Sequence, residues 1–404
     1  MTQTFDIAIV GGGITGPTLA LALARAGLSI CVIDKAPATI RKNAAFDGRA
    51  SALALTSVRM LQALGIWNLI ADKAQPILKI RVSDGRAGEG AAPFFLNFDH
   101  AEIEEGPMGH MCENRFLRRA LLEAIKDNGS ITTITDSVTD QRAEVSGVTL
   151  TLENGTPVEA KLIVGCDGRG SATAARAGIT RTGWGYDQTA LVACVAHEQP
   201  HAGIAHQFFM PPGPLAILPL PGNVSSIVWS ENARTAADFE ALSDAEFVEV
   251  LRPRFGDFLG DISLRGDRFS YPLSLSIANS FVADRTVLVG DAAHGIHPIA
   301  GQGLNAGMRD VAALAQVLTE ALQRGEDIAG PAVLARYQQW RRFDTTTLAL
   351  TTDLTNRLFS NDNPLLRCMR DLGMGAINAV PSLRRAMIRE AAGLTGDVPD
   401  LMRG

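Results

Sequence analysis

Short, almost wholly apolar runs alternate with longer amphipathic stretches in the first part of the chain. That is the pattern of parallel strands buried on both faces and joined by helices. Phe5-Asp6-Ile7-Ala8-Ile9-Val10 is the first such run, and it passes into Gly11-Gly12-Gly13-Ile14-Thr15-Gly16. A helix through Leu19, Leu21, Leu23 and Ala26 follows, closed by Gly27, and Ser29 to Ile33 predicts a second strand ending in Asp34. Asp47 to Leu53 reads as the opening of a helix carrying Leu53, Leu55, Val58 and Leu61. Strands are expected at Ile77–Val82 and Phe94–Phe98, then a helix from Phe116 to Ile125 stopped by Asn128-Gly129. Ile131 to Leu162 reads as a small meander with a turn at Asn154-Gly155, and Leu162-Ile163-Val164 as a buried strand running into Gly165-Cys166-Asp167-Gly168.

The texture changes from Gly183 to about Phe281. Alternating, aromatic-bearing segments with Pro and Gly turns predict an antiparallel sheet, broken by one helix from Asp244 to about Leu251, before Pro253. Parallel-sheet texture then returns at Arg285-Thr286-Val287-Leu288-Val289, which ends in Gly290-Asp291. A Gly-rich loop with Gly301 and Gly303 follows, and Asn305 is expected to open a helix through Met308, Val311, Leu314 and Val317. Val333 to Gly404 reads as helical. Trp340, Phe343, Leu348, Leu350, Leu354, Leu358 and Phe359 form an apolar stripe there, and a later apolar set from Met369 to Ile388 is interleaved with Arg367, Arg370, Arg384, Arg385 and Arg389. Two readings stand: a docked helix pair with a solvated basic face, or a helix at a membrane surface or partner protein.

Candidate chemistry sharpens this picture at two places. Gly11-x-Gly13-x-x-Gly16 lies between a strand and a helix, with an acid at the end of the next strand, the setting a dinucleotide site requires. Gly11 gives the tight turn, Gly13 lets backbone approach a pyrophosphate, Gly16 lets helix pack on strand, and Asp34 accepts from a ribose hydroxyl. Far downstream, Asp291, the Gly-rich loop and a helix start again suit an oxygen-rich, partly anionic ligand. Two half-sites at opposite ends of the chain imply one shared ligand. By residue type alone, Arg49 is equally a phosphate partner or a solvated arginine. Asp167 with Gly168 is a nucleotide-loop candidate or a simple turn.

Composition narrows the classes. The 404 residues suit two interleaved domains with a tail, and 46% hydrophobic content with 39 glycines fits a soluble α/β protein. A net charge of -6 argues against nucleic acid as the main partner. Five scattered cysteines without CxxC spacing point to a reducing cytoplasm and no metal site. His197, His201 and His206 are read as surface or structural residues whose spacing does not bring them to one face. No apolar run approaches a membrane span and no signal peptide precedes the first strand, so a cytoplasmic protein is expected, with peripheral contact at the inner membrane face through the C-terminal helices as the further option.

These motifs, with Asp167-Gly168 and Gly290-Asp291-Ala292-Ala293-His294, resemble the flavin-dependent aromatic hydroxylases of the p-hydroxybenzoate hydroxylase fold. Within that group, His297-Pro298-Ile299-Ala300-Gly301-Gln302-Gly303-Leu304-Asn305-Ala306-Gly307-Met308-Arg309-Asp310 is similar to the signature of the ubiquinone-biosynthesis hydroxylases. The resemblance runs from Phe5 into the terminal helices. One departure is Gln207-Phe208-Phe209, where the family carries a basic residue in a Gln-Arg-Phe stretch, and it bears on which ring position is recognised. The fold implied is an α/β, Rossmann-like FAD-binding domain with an inserted antiparallel β-sheet substrate domain and C-terminal helices. FAD-binding parts are expected at 1–76, 100–180 and 282–345, substrate-domain parts at 77–99 and 181–281, and a helical region at 346–404.

The resemblance also implies bound FAD, NADH or NADPH as reductant, O2 as co-substrate, and hydroxylation of a prenylated phenol through a flavin C4a-hydroperoxide. Carried over by position, Gly11, Gly13 and Gly16 hold the pyrophosphate and Asp34 the adenosine ribose. Arg49 contacts phosphate, Asn114 or Arg115 the ribityl and phosphate region, and Asp291 the ribityl chain. Asp167, Gly301 and Gly303 belong to the cofactor set, Leu304 and Asn305 present N–H groups to the pyrimidine, and Pro298 lies near the reactive edge. The flavin carries the chemistry, so the protein need only orient the ring, exclude water and stabilise charge. His297 is a catalytic candidate, with a structural role as its alternative. Competing readings are a hydroxylase of a small soluble aromatic and a non-catalytic flavoprotein scaffold in a biosynthetic assembly, in either case with oligomerisation open.

Overall fold

The computed structural model describes residues 3–37, 49–88, 90–360 and 373–404. The chain begins with β1 (Gln3–Val10), α1 (Thr15–Ala24), β2 (Ile30–Asp34), β3 (Ala50–Ala54) and α2 (Leu55–Ala63). Next come β4 (Ala74–Ile77), β5 (Lys79–Arg86), β6 (Gly90–Asp99), β7 (Gly109–Glu113), α3 (Asn114–Lys126) and β8 (Ile131–Thr135). Then follow β9 (Val138–Ala143), β10 (Val148–Leu152), β11 (Pro157–Gly165), α4 (Ala172–Arg176) and the long β12 (Arg181–His197). The middle is β13 (Ile204–Met210), β14 (Gly213–Leu220), β15 (Val224–Asn232), α5 (Ala233–Glu240), α6 (Asp244–Phe255) and β16 (Ile262–Leu264). Last come β17 (Phe269–Ala278), β18 (Val282–Ala283), β19 (Thr286–Leu288), β20 (His294–Gly295), α7 (Gln302–Gln323), α8 (Pro331–Phe359) and α9 (Pro381–Ala391).

The first sheet runs β18-β19-β11-β1-β2-β8 and is parallel from β19 to β8. Ile7 and Ile9 of β1 point one way into a core with Leu19 and Leu23 of α1 and Met308, Val311 and Leu314 of α7. Ala8 and Val10 point the other way, against Val148, Leu150 and Leu152. That two-sided burial is why β1 reads as an unbroken apolar run. The second sheet runs β20-β17-β12-β15-β14-β13-β5-β6 and is antiparallel except where β13 meets β5. Its core is Trp229, Phe247, Leu251 and Phe255, with Leu215 and Ile227. A small antiparallel sheet, β3-β7-β4, lies beside them.

Several expectations are corrected. The stretch predicted as a helix opening at Asp47–Leu53 lies partly outside the described residues, and from Ala50 to Ala54 it is strand β3, because β7 supplies a ladder partner (Ala50 opposite Glu113). The helix begins only at Leu55. In the Ile131–Leu162 meander, β8 instead joins β2 in parallel, while β9, β10 and β11 are antiparallel neighbours. Helix α6 continues through Pro253 to Phe255, carried by buried Phe247, Leu251 and Phe255 one turn apart and by a Ser243–Glu246 capping box. Helix α5 is an addition to the expected elements: it is only eight residues long and buries only Ala236. The rings of His197 and His201 do meet, edge to face at 5.8 Å, and both are buried and hydrogen-bonded to protein groups.

The terminal stripe is the largest correction to the docked reading. Trp340, Leu348 and Phe359 pack inward, but Phe343 is 76% exposed and Leu354 66%, with Leu350 and Leu358 also outward. The inner face of α8 is instead Arg341, Thr345, Ala349, Thr352, Asp353 and Asn356. Met369 and Leu372, with Arg367 and Arg370, lie outside the described residues.

Candidate cofactor and ring-binding site

The two Gly-rich motifs meet. A Cβ on Gly290 would lie 3.3 Å from Thr15 Oγ1 and 3.8 Å from Gly307 Cα, so the turn after β1, the end of β19 and the first turns of α7 are in contact. Close approach explains the glycines. A Cβ on Gly16 would stand 2.0 Å from the Gly11 carbonyl oxygen, and one on Gly11, at φ +114°, 2.3 Å from that of Cys166. Gly13 and Gly303 differ, for a Cβ on either meets nothing within 4 Å, which leaves backbone open to a ligand on the side each faces.

Acidic groups flank this opening. Asp34 accepts from Gly12 N at 2.5 Å and Ala36 N at 2.7 Å, bracing the first loop. Asp291, half exposed, stands 3.5 Å from Arg169 Nε. Helix α7 opens at Gln302, capped by Gly301 in the left-handed region at φ +63°, three residues earlier than expected. The Gly303 and Leu304 N–H groups therefore fall in the first turn, where no intrahelical carbonyl reaches them. Asn305 is not the cap. Its Oδ1 accepts from Ala54 N and Ser57 Oγ, and its Nδ2 donates to the Ala52 and Gly301 carbonyls, so it ties β3 and α2 to the loop.

The remaining candidates divide. Asn114 accepts from Ser51 Oγ at 2.7 Å, and its N–H donates to the Arg49 carbonyl, which brings 49, 51 and 114 together on the small sheet. The Arg49 side chain is exposed. Arg115 pairs with Glu113 at 2.7 Å and lies over the Phe116 ring. Asp167 spends its carboxylate on Ser171 Oγ, Thr173 N and Thr173 Oγ1 at the start of α4, so it shapes the loop.

Sequence reasoning missed the group that locks these pieces. Asp310, fully buried, accepts from Gly290 N at 2.9 Å, from Arg341 Nε at 2.8 Å, and pairs with His294 Nε2 at 2.5 Å. Burial alone would raise its pKa, but His294 and Arg341 outweigh that and leave it below its ordinary value. Burial likewise opposes the Arg341 charge, and Asp310 more than restores it. Arg181 of β12 adds a second tie, donating to the Asp291 and Ala292 carbonyls. An apolar α7 reading gave no hint of a buried acid at 310, although the run from 290 to 310 contained it.

His297 and Pro298 lie just before α7. His297 is fully buried against the Tyr186 ring, and burial followed by Arg169 lowers it to about 4. Among the described residues, no group of three His, Cys, Asp or Glu is placed to hold a metal ion, and no helix is long and apolar enough to cross a membrane.

A family model described as an FAD binding domain matches residues 4–349. The chain is 46% identical over 403 residues to the ubiquinone hydroxylase UbiL of Rhodospirillum rubrum, covering 99% of this chain and 92% of that protein. It is 35% identical to the 3-demethoxyubiquinol 3-hydroxylase of Escherichia coli, covering 97% and 99%. Among solved structures, the p-nitrophenol 4-monooxygenase PnpA of Pseudomonas putida DLL-E4 superposes with a TM-score of 0.80 over 98% of this chain and 99% of that one. At 19% identity that likeness is one of fold.

Proposed function

Because the chain belongs to the FAD-binding family of ubiquinone-biosynthesis hydroxylases, we propose that it hydroxylates the aromatic ring of a prenylated phenol. The fold is that of p-hydroxybenzoate hydroxylase, with β1, β2, β11, β19 and α7 forming the cofactor half and β5, β6 and β12–β17 the ring-binding half. The observation that carries the reading is the meeting of Thr15, Gly290 and Gly307, which joins the two half-sites into one cradle.

The residues present fit FAD. Open backbone at Gly13 and the α1 start suit a pyrophosphate, Asp34 suits a ribose, and Asp291 suits a polyol chain. The first-turn N–H groups of Gly303 and Leu304 suit an electron-rich ring edge. When bound, FAD takes electrons from NADH or NADPH and activates O2 for oxygen transfer to an electron-rich ring. The protein brings the ring to the loop at His297 and Pro298, excludes water and fixes orientation. Arg49 and Asn114 line the ribityl and phosphate side in this reading.

A prenyl tail partitions into lipid, and the outward apolar face of α8 suits delivery from a membrane surface. Phe343, Leu350, Leu354 and Leu358 are exposed along α8, Val380, Leu383 and Met387 are exposed at and just before α9, and Arg342 and Arg385 supply exposed positive charge on these helices. Apolar area with basic neighbours fits an anionic bilayer. Flotation with vesicles of anionic lipid, and little with neutral ones, is the expected result. No flotation with either, or a stable self-associated species by light scattering, would replace this surface reading.

The central test is the visible spectrum of the purified chain, then addition of NADH or NADPH with and without a prenylated phenol. Flavin bands and a hydroxylated product are expected. A chain that takes up no FAD would overturn the proposal, and bound flavin that neither nicotinamide reduces would point to a protein electron donor.

A further inference from the structure

The chain changes sheet at the turn that carries Asp291. β19 belongs to the first sheet, where it pairs with β11, and β20 lies at the edge of the second, where it pairs with β17. Between them stand Gly290 to Ala292. β20 is only two residues long, so its own ladder supplies few bonds to hold the turn to the second sheet.

Each half of the molecule reaches the turn with a side chain. From the cofactor half, Asp310 accepts from Gly290 N. From the ring-binding half comes Arg181, the first residue of β12, opposite Ala278 of β17. Its Nε donates to Ser276 Oγ at 2.8 Å, and Nη2 donates to the Ser276 carbonyl at 3.1 Å. Nη2 also reaches the Asp291 carbonyl at 3.3 Å, while Nη1 donates to the Ala292 carbonyl. One planar guanidinium thus bonds β17 and the turn together.

The anchor on β17 is firm. A Cβ on Gly183 would stand 2.1 Å from the Leu275 carbonyl oxygen and 2.8 Å from Ser276 Cα, so β12 and β17 are pressed together beside the arginine. Burial lowers the Arg181 pKa from its ordinary value, Asp291 and Asp167 oppose that shift, and the group stays charged at neutral pH. Because Arg181 takes the Asp291 carbonyl and not the carboxylate, that side chain stays 46% exposed, with Arg169 Nε at 3.5 Å.

We propose that Arg181 is a positioning residue: by bonding Ser276 to the Asp291 and Ala292 carbonyls it orients Asp291 toward the flavin polyol chain and couples the ring-binding sheet to the flavin site. This rests on the hydroxylase reading above and deepens it by naming the side chain through which the two sites act on each other. A rigid fork of donors passes a displacement of β17 on to the turn, which a flexible point charge does not. Coupling between two sites is reciprocal, so it is read as the factor by which a ring ligand changes FAD affinity.

The experiment measures FAD dissociation by flavin fluorescence, with and without saturating ortho-prenylphenol. In wild type the phenol is expected to tighten FAD by about tenfold. Arg181→Gln should weaken FAD binding and shrink that factor several-fold. Arg181→Lys keeps the charge but cannot span both partners, so it should shrink the factor as well. Ser276→Ala removes only the acceptor at Nε and should lower the factor least. Each factor is a ratio within one variant, so a general loss of stability or of FAD affinity cancels. A wild-type factor near one, or a factor fully kept in Arg181→Lys, would overturn the proposal. So would a factor unmoved in Arg181→Gln or, where that chain does not fold, in Ser276→Ala. A wild-type chain that takes up no FAD would overturn the hydroxylase reading instead, whereas flavin-loaded protein with an unmoved factor overturns this inference alone.

Discussion

Helices α1 and α8 both press on a sheet, yet they are built on opposite plans. α1 buries every residue from Gly16 to Leu23, close enough that Gly16 cannot carry a side chain. α8 turns Arg341, Thr345, Thr352, Asp353 and Asn356 inward and leaves Phe343, Leu350, Leu354 and Leu358 outside. Apolar burial, at about 25 cal/mol per Å², is enough to hold the first. The second gives up much of that gain and is held by particular polar ties: Arg341 to Asp310, Trp184 to Asp353, and Asn356 Nδ2 to Gln188 at 3.0 Å. The contrast teaches where each task sits. In the proposed reading, a cofactor gripped by backbone is compatible with ordinary packing, whereas a helix held by buried polar ties gives up part of its apolar stabilisation.

The largest expected effect tests the polar ties. Asp310→Ala leaves the buried Arg341 Nε and the Gly290 N–H without their acceptor, with Arg341 keeping its pairing to Asp344, and should cost about 3–5 kcal/mol in urea unfolding. A loss below about 1 kcal/mol would mean that packing alone holds α8. Next is His297→Leu. The folded-state value near 4 lies below the unfolded one, so the His297 contribution is complete above the unfolded value and is lost as pH falls toward 4. The leucine variant should therefore lack up to about 3 kcal/mol of acid-induced destabilisation, seen in Tm between pH 7 and 4. At neutral pH it should be as stable as wild type or more so, at the expense of activity.

On the packed side, Gly16→Ala should cost about 1–3 kcal/mol and most of the bound flavin, because the new methyl collides with the Gly11 carbonyl. Full flavin occupancy in that variant would show that the turn can relax. The smallest effect on stability is expected for Leu354→Ser, within about 0.5 kcal/mol, since the side chain already faces out. The same variant should reduce flotation with anionic vesicles, and unchanged flotation would remove Leu354 from the proposed surface.

The same contrast explains what could be read from residues alone. Gly11 and Gly16 were legible because backbone geometry forbids a side chain there, and such a constraint writes itself into residue type. Asn305 misled because asparagine is a favoured helix cap, whereas here its amide reaches sideways to Ala54 and Ser57 and Gly301 takes the cap. Ala50–Ala54 favours helix locally and becomes strand only because β7 lies beside it. Along α8, the buried Thr, Asn and Asp carry no apolar period, so the visible stripe pointed to the wrong face. Tyr186 gave no signal at all, since its direction depends on a register slip against a strand some eighty residues away.

The contact between Thr15 and Gly290 also fixes an order of assembly. β1 lies between β2, which follows soon after it, and β11, whose register begins at Val158, while β19 completes that edge later still. Closing loops of such length is entropically costly, and sheets built on distant pairings form slowly. During synthesis the first Gly-rich loop therefore emerges long before its other half, with β1 and α1 still lacking the apolar surfaces that finally cover them. Nascent chains shorter than about β19 have no complete cradle to grip FAD, and their exposed strands are aggregation-prone. Cofactor capture belongs to the last stage of folding, where it acts as a seal on a nearly finished chain.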